Sequence, residues 1–298
     1  MGTNAVEEKW GAGVALALVA AMGFSMKAIF VKLAYPHGVD AVTLLALRMV
    51  FALPVFLWVG LREGRQAKPL TGGDWGRLAL LGCLGYYGSS LMDFLGLQYI
   101  TAGLERLILF TYPTLTILIG VLFQGRPFTW RQGAALALCY AGVGFAFAHD
   151  LGQGDRQGVF MGAALVFGSS VTYALYLSGS ATMISRLGAM RFTALALLVS
   201  CGATLIHFIA THPLGAFAQP APVYGWGFAM AAFSTVLPVF AQSAAIRRLG
   251  PGHSALIGMI GPLLTIAFGW WLLGETISLY QMAGAALVVA GIVIVSRR

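Results

Sequence analysis

The chain is 298 residues long, 59% hydrophobic and only 9% charged, with a net charge of +8. Soluble domains carry about 25% charged residues, so a mean hydropathy of +0.83 excludes a water-soluble globule. The same apolar content excludes a disordered chain, and the 39 glycines follow no period, which excludes a collagen-like repeat.

What remains is an integral membrane protein. A bilayer-crossing helix needs about 20 apolar residues. Runs of that kind cover residues 11–34, 40–61, 75–97, 103–122, 130–148, 158–180, 190–210, 222–243, 251–272 and 279–296. None alternates with period two, so barrel strands are not expected. Glu7 and Glu8 precede the first run where a cleaved signal peptide would be basic, so that run is expected to stay as a span. Connections are short, the longest near 61–74, which leaves no room for an extramembrane domain. Cys83, Cys139 and Cys201 are scattered within apolar runs and read as packing residues, not as a disulfide framework or zinc site.

Lysines and arginines in the loops set the orientation. With a cytoplasmic N-terminus, thirteen loop or terminal basic residues fall inside and only Arg156 falls outside. Both termini are therefore expected in the cytoplasm, and the Asp150–Arg156 loop outside. The basic pI near 9.7 is a topology signal, and no nucleic-acid partner is expected.

Sliding the chain by 149 residues brings Pro113, Leu115, Thr116, Ile117 and Gly120 onto Pro262, Leu264, Thr265, Ile266 and Gly269. The same shift carries Gly125, Gln132 and Gly142 onto Gly274, Gln281 and Gly291. Five spans per copy is an odd number, so the copies must cross in opposite directions. The expected fold is thus an all-α integral membrane protein of ten transmembrane helices. These form two inverted five-helix repeats, 1–149 and 150–298, the usual scaffold of a secondary transporter.

The stretch Gly261-Pro262-Leu263-Leu264-Thr265-Ile266, with Gly269, Gly274-Glu275, Gln281 and Gly284-Ala285-Ala286-Leu287, resembles the repeat signature of the EamA-type branch of the drug/metabolite transporter superfamily. A first-half copy runs from Tyr112-Pro113-Thr114 to Gln132-Gly133-Ala134, with Arg126 where the family often has a glutamate. The resemblance implies a 5+5 transporter that exports amino acids or other metabolites from bacteria by alternating access, with no cofactor. The segments 25–32 and 104–107 are similar to the amino-acid exporters of that family, the aromatic amino-acid exporters among them.

Charged and polar groups inside the spans are functional candidates, because lipid penalises them. Tyr86, Ser89, Ser90 and Asp93 fall on one helical face of the third span, and the repeat offset sends Tyr86 to Thr235 and Asp93 to Gln242. These two faces are expected to meet across a cavity walled by Phe24, Tyr173, Tyr176 and Trp270. Lys27 lies two turns inside the first span, deep enough that pairing with an acid competes with snorkelling. Glu105 and Arg106 open the fourth span: the glutamate suits a helix N-terminus, and the arginine is a candidate outer gate. Pro113 and Pro262 are candidate hinges. No Walker loop, metal-ligand spacing or catalytic motif is present, so neither ATP coupling nor enzymatic chemistry is expected.

The expected activity is secondary export of small amphipathic metabolites, most readily amino acids. The expected partners are that substrate, the lipid bilayer of a bacterial inner membrane and, as a candidate coupling ion, the proton. The alternatives are export of drugs or nucleotide sugars, or intramembrane lipid processing. The pairing of Lys27 and Arg106 with Asp93 and Glu105 suits a zwitterion better than a cationic drug.

Overall fold

The computed structural model describes residues 2–65, 69–125, 127–153 and 155–296, all helix or loop with no strand among them. Nine helices among the described residues are long and apolar enough to cross a membrane. They are α1 (Trp10–His37), α2 (Ala41–Gly64), α3 (Gly72–Gly96), α4 (Ala102–Phe123), α5 (Trp130–Gly152), α6 (Arg156–Leu187), α7 (Ala189–Thr211), α8 (Ala221–Gly250) and α9 (Gly252–Leu273). A shorter apolar helix, α10 (Leu279–Ile294), follows. Arg126, Lys68, Arg297 and Arg298, which entered the charge count and the repeat comparison, lie outside the described residues.

Several elements expected as plain spans are interrupted, and the interruptions recur at the 149-residue offset. The backbone of α3 widens into π turns over Cys83–Gly88, and that of α8 over Ala232–Val236. Helix α4 breaks after Leu109 and restarts at Tyr112; at the equivalent place the chain breaks after Gly258 and restarts at Gly261 in α9. Pro113 and Pro262 lie in the first turn of the restarted helix. There a proline costs no hydrogen bond, because that amide has no intrahelical acceptor anyway. Both restarted helices end on a left-handed glycine, Gly125 at φ 63° and Gly274 at φ 67°, a conformation that side chains with a Cβ disfavour.

Packing follows the same pattern. Helix α1 lies against α8 and α9, as α6 lies against α3 and α4, while α2 pairs with α7, and α5 with α10. The α5–α10 contact is close enough to exclude side chains. A Cβ on Gly142 would stand 2.5 Å from the Gly284 carbonyl oxygen, and a Cβ on Gly284 would stand 2.5 Å from that of Gly142. Without a hydrophobic drive between helices in lipid, such small-residue contacts supply the dispersion energy that holds them together. The largest apolar cluster joins α1, α2, α3, α7 and α8 around Ile29, Leu44, Leu45, Met49 and Phe94.

Candidate functional site

Two ends of the bundle are recognisable from their contacts. At one end Thr101 caps α4 through its own hydroxyl, which accepts from the Leu104 amide at 3.1 Å. The Thr101 amide donates to Asp150 at 2.9 Å, and the Ala102 amide donates to Glu275 at 3.0 Å. Lys32 ties Glu275 down at 3.2 Å and donates to the Ile100 carbonyl at 2.7 Å. Three amides at the start of α4 are thus satisfied by three side chains from three segments. At the other end Trp10 packs on His253, with ring centroids 5.0 Å apart, and Gly13 lies under Leu249.

Between these ends, toward the first, lies a buried set of charges. The Lys27 ammonium stands 2.6 Å from Asp93 Oδ2 and 3.3 Å from Glu105 Oε1. The side chains of Asp93 and Glu105 are 1% and 0% exposed, they lie against each other, and no backbone, hydroxyl or amide donor of the described residues reaches their oxygens. One lysine on α1 therefore holds carboxylates from α3 and α4 together. Trp10 and Lys27 are seventeen residues apart, so at the helical rise Lys27 lies about 25 Å along α1 from Trp10.

Two arginines border the trio. Arg48 of α2 donates from Nε to Thr235 at 2.9 Å and from Nη1 to Ser90 at 3.4 Å, with its guanidinium 5.7 Å from the Phe94 ring centre. It joins the polar face of α3 to the π segment of α8. Arg106, 7% exposed, lies over the Phe110 ring at 4.8 Å. Among the described residues it forms no ion pair within 4.0 Å, and its Nε has no acceptor. With all five groups ionised, three cations face two carboxylates.

A line of aromatic rings runs from Arg106. Phe110 leads to Tyr112 (6.1 Å between centroids), Tyr112 to Tyr173 (5.1 Å), Tyr173 to Tyr176 (5.7 Å) and Tyr176 to Tyr86 (5.2 Å). The Tyr176 hydroxyl donates to that of Tyr86 at 3.4 Å, and Ser89 shares a hydrogen bond with Ser169 at 2.9 Å. Phe24 is half-buried on α1, one turn before Lys27.

Two expected wall residues lie elsewhere. Gln242 does not face Asp93. Its amide donates to Ser254 at 3.1 Å, beside the α8–α9 junction whose His253 packs on Trp10. The reason is the opposed direction of α3 and α8. From the level where Arg48 bridges Ser90 and Thr235, Asp93 lies three residues on toward one end and Gln242 seven residues on toward the other. The offset sends Asp93 to Gln242 and Glu105 to Ser254, so the acidic α3–α4 contact recurs between α8 and α9 as a neutral hydrogen bond. Trp270 is 59% exposed and stands outside the aromatic line. Conversely the structure brings Arg48, Phe110 and Tyr112 into contact with the candidate residues. The intramembrane charge of Arg48 was its signal and Tyr112 opens the first-half copy of the repeat signature, whereas Phe110 carried none beyond composition. No group of three or more His, Cys, Asp or Glu among the described residues could hold a metal ion.

A multi-pass helical bundle with acidic and basic side chains in its interior and broken helices around them is an arrangement that membrane transporters use. The chain belongs to the EamA-like transporter family, whose model matches it twice, over residues 11–148 and 160–297. It is 28% identical over 284 residues to the uncharacterized transporter YcbK of Bacillus subtilis, covering 92% of this chain and 89% of that protein. It is 29% identical over 227 residues to the threonine/homoserine exporter RhtA of Escherichia coli K12, covering 72% and 69%. It is 24% identical over 236 residues to a probable terminal-alkyne amino-acid exporter of Streptantibioticus cattleyicolor, covering 74% and 73%. A solved structure described only as a crystal structure of a protein shares the fold, with a TM-score of 0.66 at 15% identity over 95% of this chain and 97% of that one.

Proposed function

We propose that this chain is a secondary exporter of amino acids, with aromatic side chains preferred, working by alternating access in a bacterial inner membrane. The observation that carries the reading is the interior charge set. Asp93 and Glu105 converge on Lys27, Arg106 forms no ion pair within 4.0 Å among the described residues, and a line of tyrosines adjoins them. A zwitterion needs an acid for its ammonium, a cation for its carboxylate and an apolar wall for its side chain, and this site has all three. Two of the relatives, a threonine/homoserine exporter and a probable terminal-alkyne amino-acid exporter, favour the same substrate class.

The architecture in this reading is ten transmembrane helices in two inverted five-helix repeats, 1–149 and 150–298, with both termini cytoplasmic. Recurrence of π turns, helix breaks and left-handed caps at one offset supports it. Phe24, Lys27, Tyr86, Ser89, Asp93, Tyr173, Tyr176 and Thr235 are the substrate-facing residues, and Gln242 and Trp270 leave that set. Alternating access needs a barrier at each end. Lys27 with Asp93 and Glu105 clasps α1, α3 and α4 at one end, with Arg106 beside it, while Gln242 and Ser254 clasp α8 and α9 at the other. Pro113 and Pro262 stand where the second half of each broken helix begins, the natural pivot. A substrate ammonium reaching Asp93 and Glu105 competes with Lys27, and a proton arriving there does the same, which makes proton exchange the coupling step of this reading.

The test is counterflow into proteoliposomes with a panel of labelled amino acids, run with and without a pH gradient. Saturable amino-acid uptake that the gradient accelerates is the expected result. Absence of uptake for every amino acid, with uptake of cationic drugs or nucleotide sugars, would overturn the reading.

A further inference from the structure

We propose that Arg106 is the receptor for the substrate carboxylate, and that the missing side chain at Gly261 keeps its binding edge open. This inference rests on the amino-acid reading above and specifies which group recognises the acid end.

A guanidinium buried in a helical bundle without an anion is an expensive arrangement, and buried charges are normally paired or serve a ligand. Arg48 meets that demand with Thr235 and Ser90. Arg106 does not: its Nε is buried with no acceptor, and no carboxylate of the described residues lies within 4.0 Å of it. Glu105, its neighbour in sequence, is engaged by Lys27 at 3.3 Å. The pocket therefore holds one cation more than it has acids to match, and an incoming carboxylate restores the balance.

The orientation of the guanidinium adds a second argument. Arginine binds a carboxylate bidentately through two parallel N–H groups, and Nε with Nη2 form one such edge. In Arg106 that edge faces Gly261, where a Cβ would stand 3.1 Å from Nη2 and 3.6 Å from Nε. Any larger residue at position 261 would crowd the edge that remains unpaired. Phe110 backs the guanidinium at 4.8 Å and fixes its plane by a cation–π contact, so the fork is held before the substrate arrives. The aromatic line begins at that same ring. At the repeat offset Arg106 becomes Ala255 and Gly261 matches Tyr112, so only one half of the bundle carries this receptor.

The experiment uses full-length protein in proteoliposomes, with uptake of labelled L-phenylalanine and L-threonine. Competition by each unlabelled amino acid is compared with competition by its carboxamide, which keeps the ammonium and the side chain. Wild-type protein should prefer the acid by about tenfold or more, the worth of a buried charge-assisted pair. Arg106→Gln should abolish that preference, Arg106→Lys should retain part of it, and Gly261→Ala should weaken the acid more than the carboxamide, lowering the preference. Equal competition by acid and carboxamide in the wild type overturns the proposal without any variant. A folded Arg106→Gln protein that keeps the wild-type preference overturns it as well, while leaving the amino-acid reading intact. If the wild type transports no amino acid at all, the reading fails and this inference falls with it.

Discussion

Replacing Lys27 with methionine keeps the length and apolar stem of the side chain and removes one charge. In the native protein the ammonium is 2.6 Å from Asp93 and 3.3 Å from Glu105. At an effective dielectric of about 20 those separations correspond to Coulomb attractions of about 6 and about 5 kcal/mol. Desolvation of three buried ions cancels much of that sum, and removing one partner of a buried pair typically costs about 3–5 kcal/mol because the remaining charge is left uncompensated. Lys27→Met should therefore lower stability by about 3–5 kcal/mol, read as the unfolding free energy of the detergent-solubilised protein in a denaturing-detergent titration. Lys27→Met combined with Asp93→Asn and Glu105→Gln leaves no uncompensated charge at the trio, and should regain most of the lost stability. Lys27→Met within about 0.5 kcal/mol of wild type, the range of an ordinary surface substitution, would refute the ionic clasp. A triple variant no more stable than Lys27→Met would refute it equally.

Three further outcomes follow from other parts of the molecule. Pro113→Ala and Pro262→Ala should each leave folding intact but slow transport, because a continuous helix replaces the break that precedes them; unchanged counterflow rates in both would reduce the prolines to tolerated first-turn residues. Gly142→Val and Gly284→Val should each force α5 and α10 apart, since the Cβ would meet backbone oxygen at 2.5 Å, and should cost about 1–3 kcal/mol in the same titration. Asp40, outside the spans, caps α2 by accepting from the Val42 and Thr43 amides at 2.8 and 3.0 Å. Burial pushes its pKa upward, but hydrogen bonds from Thr43 and the proximity of His212 outweigh this and hold the carboxyl below its ordinary range. A lowered folded-state pKa gives stabilisation that is present above the ordinary carboxylate range and lost as pH falls through the folded value. Asp40→Ala should thus cost about 1 kcal/mol at neutral pH, and thermal melts of variant and parent should converge in strong acid.

Composition alone determined that this chain lies in a membrane, and apolar run length determined where its helices fall, because lipid forces every backbone group to be satisfied within its own segment. The helical face of Tyr86, Ser89, Ser90 and Asp93 and the recurrence of Pro113 as Pro262 were equally legible, since both are matters of spacing along one chain. Which polar groups meet was not. Lys27 is 66 residues from Asp93 and 78 from Glu105, and nothing local to any of the three specifies that the lysine of α1 reaches the carboxylates of α3 and α4. The offset by itself suggested that Asp93 and Gln242 share a cavity. Tertiary structure places them toward opposite ends, because equivalent residues of oppositely directed helices diverge from the level at which those helices touch. Tyr112 and Phe110 entered the site only through the break in α4, which swings the chain between two short helices and brings both rings beside Arg106. A sequence records which side chains share a face of one helix, whereas the distances between helices, which decide whether a buried charge finds a partner, exist only after packing.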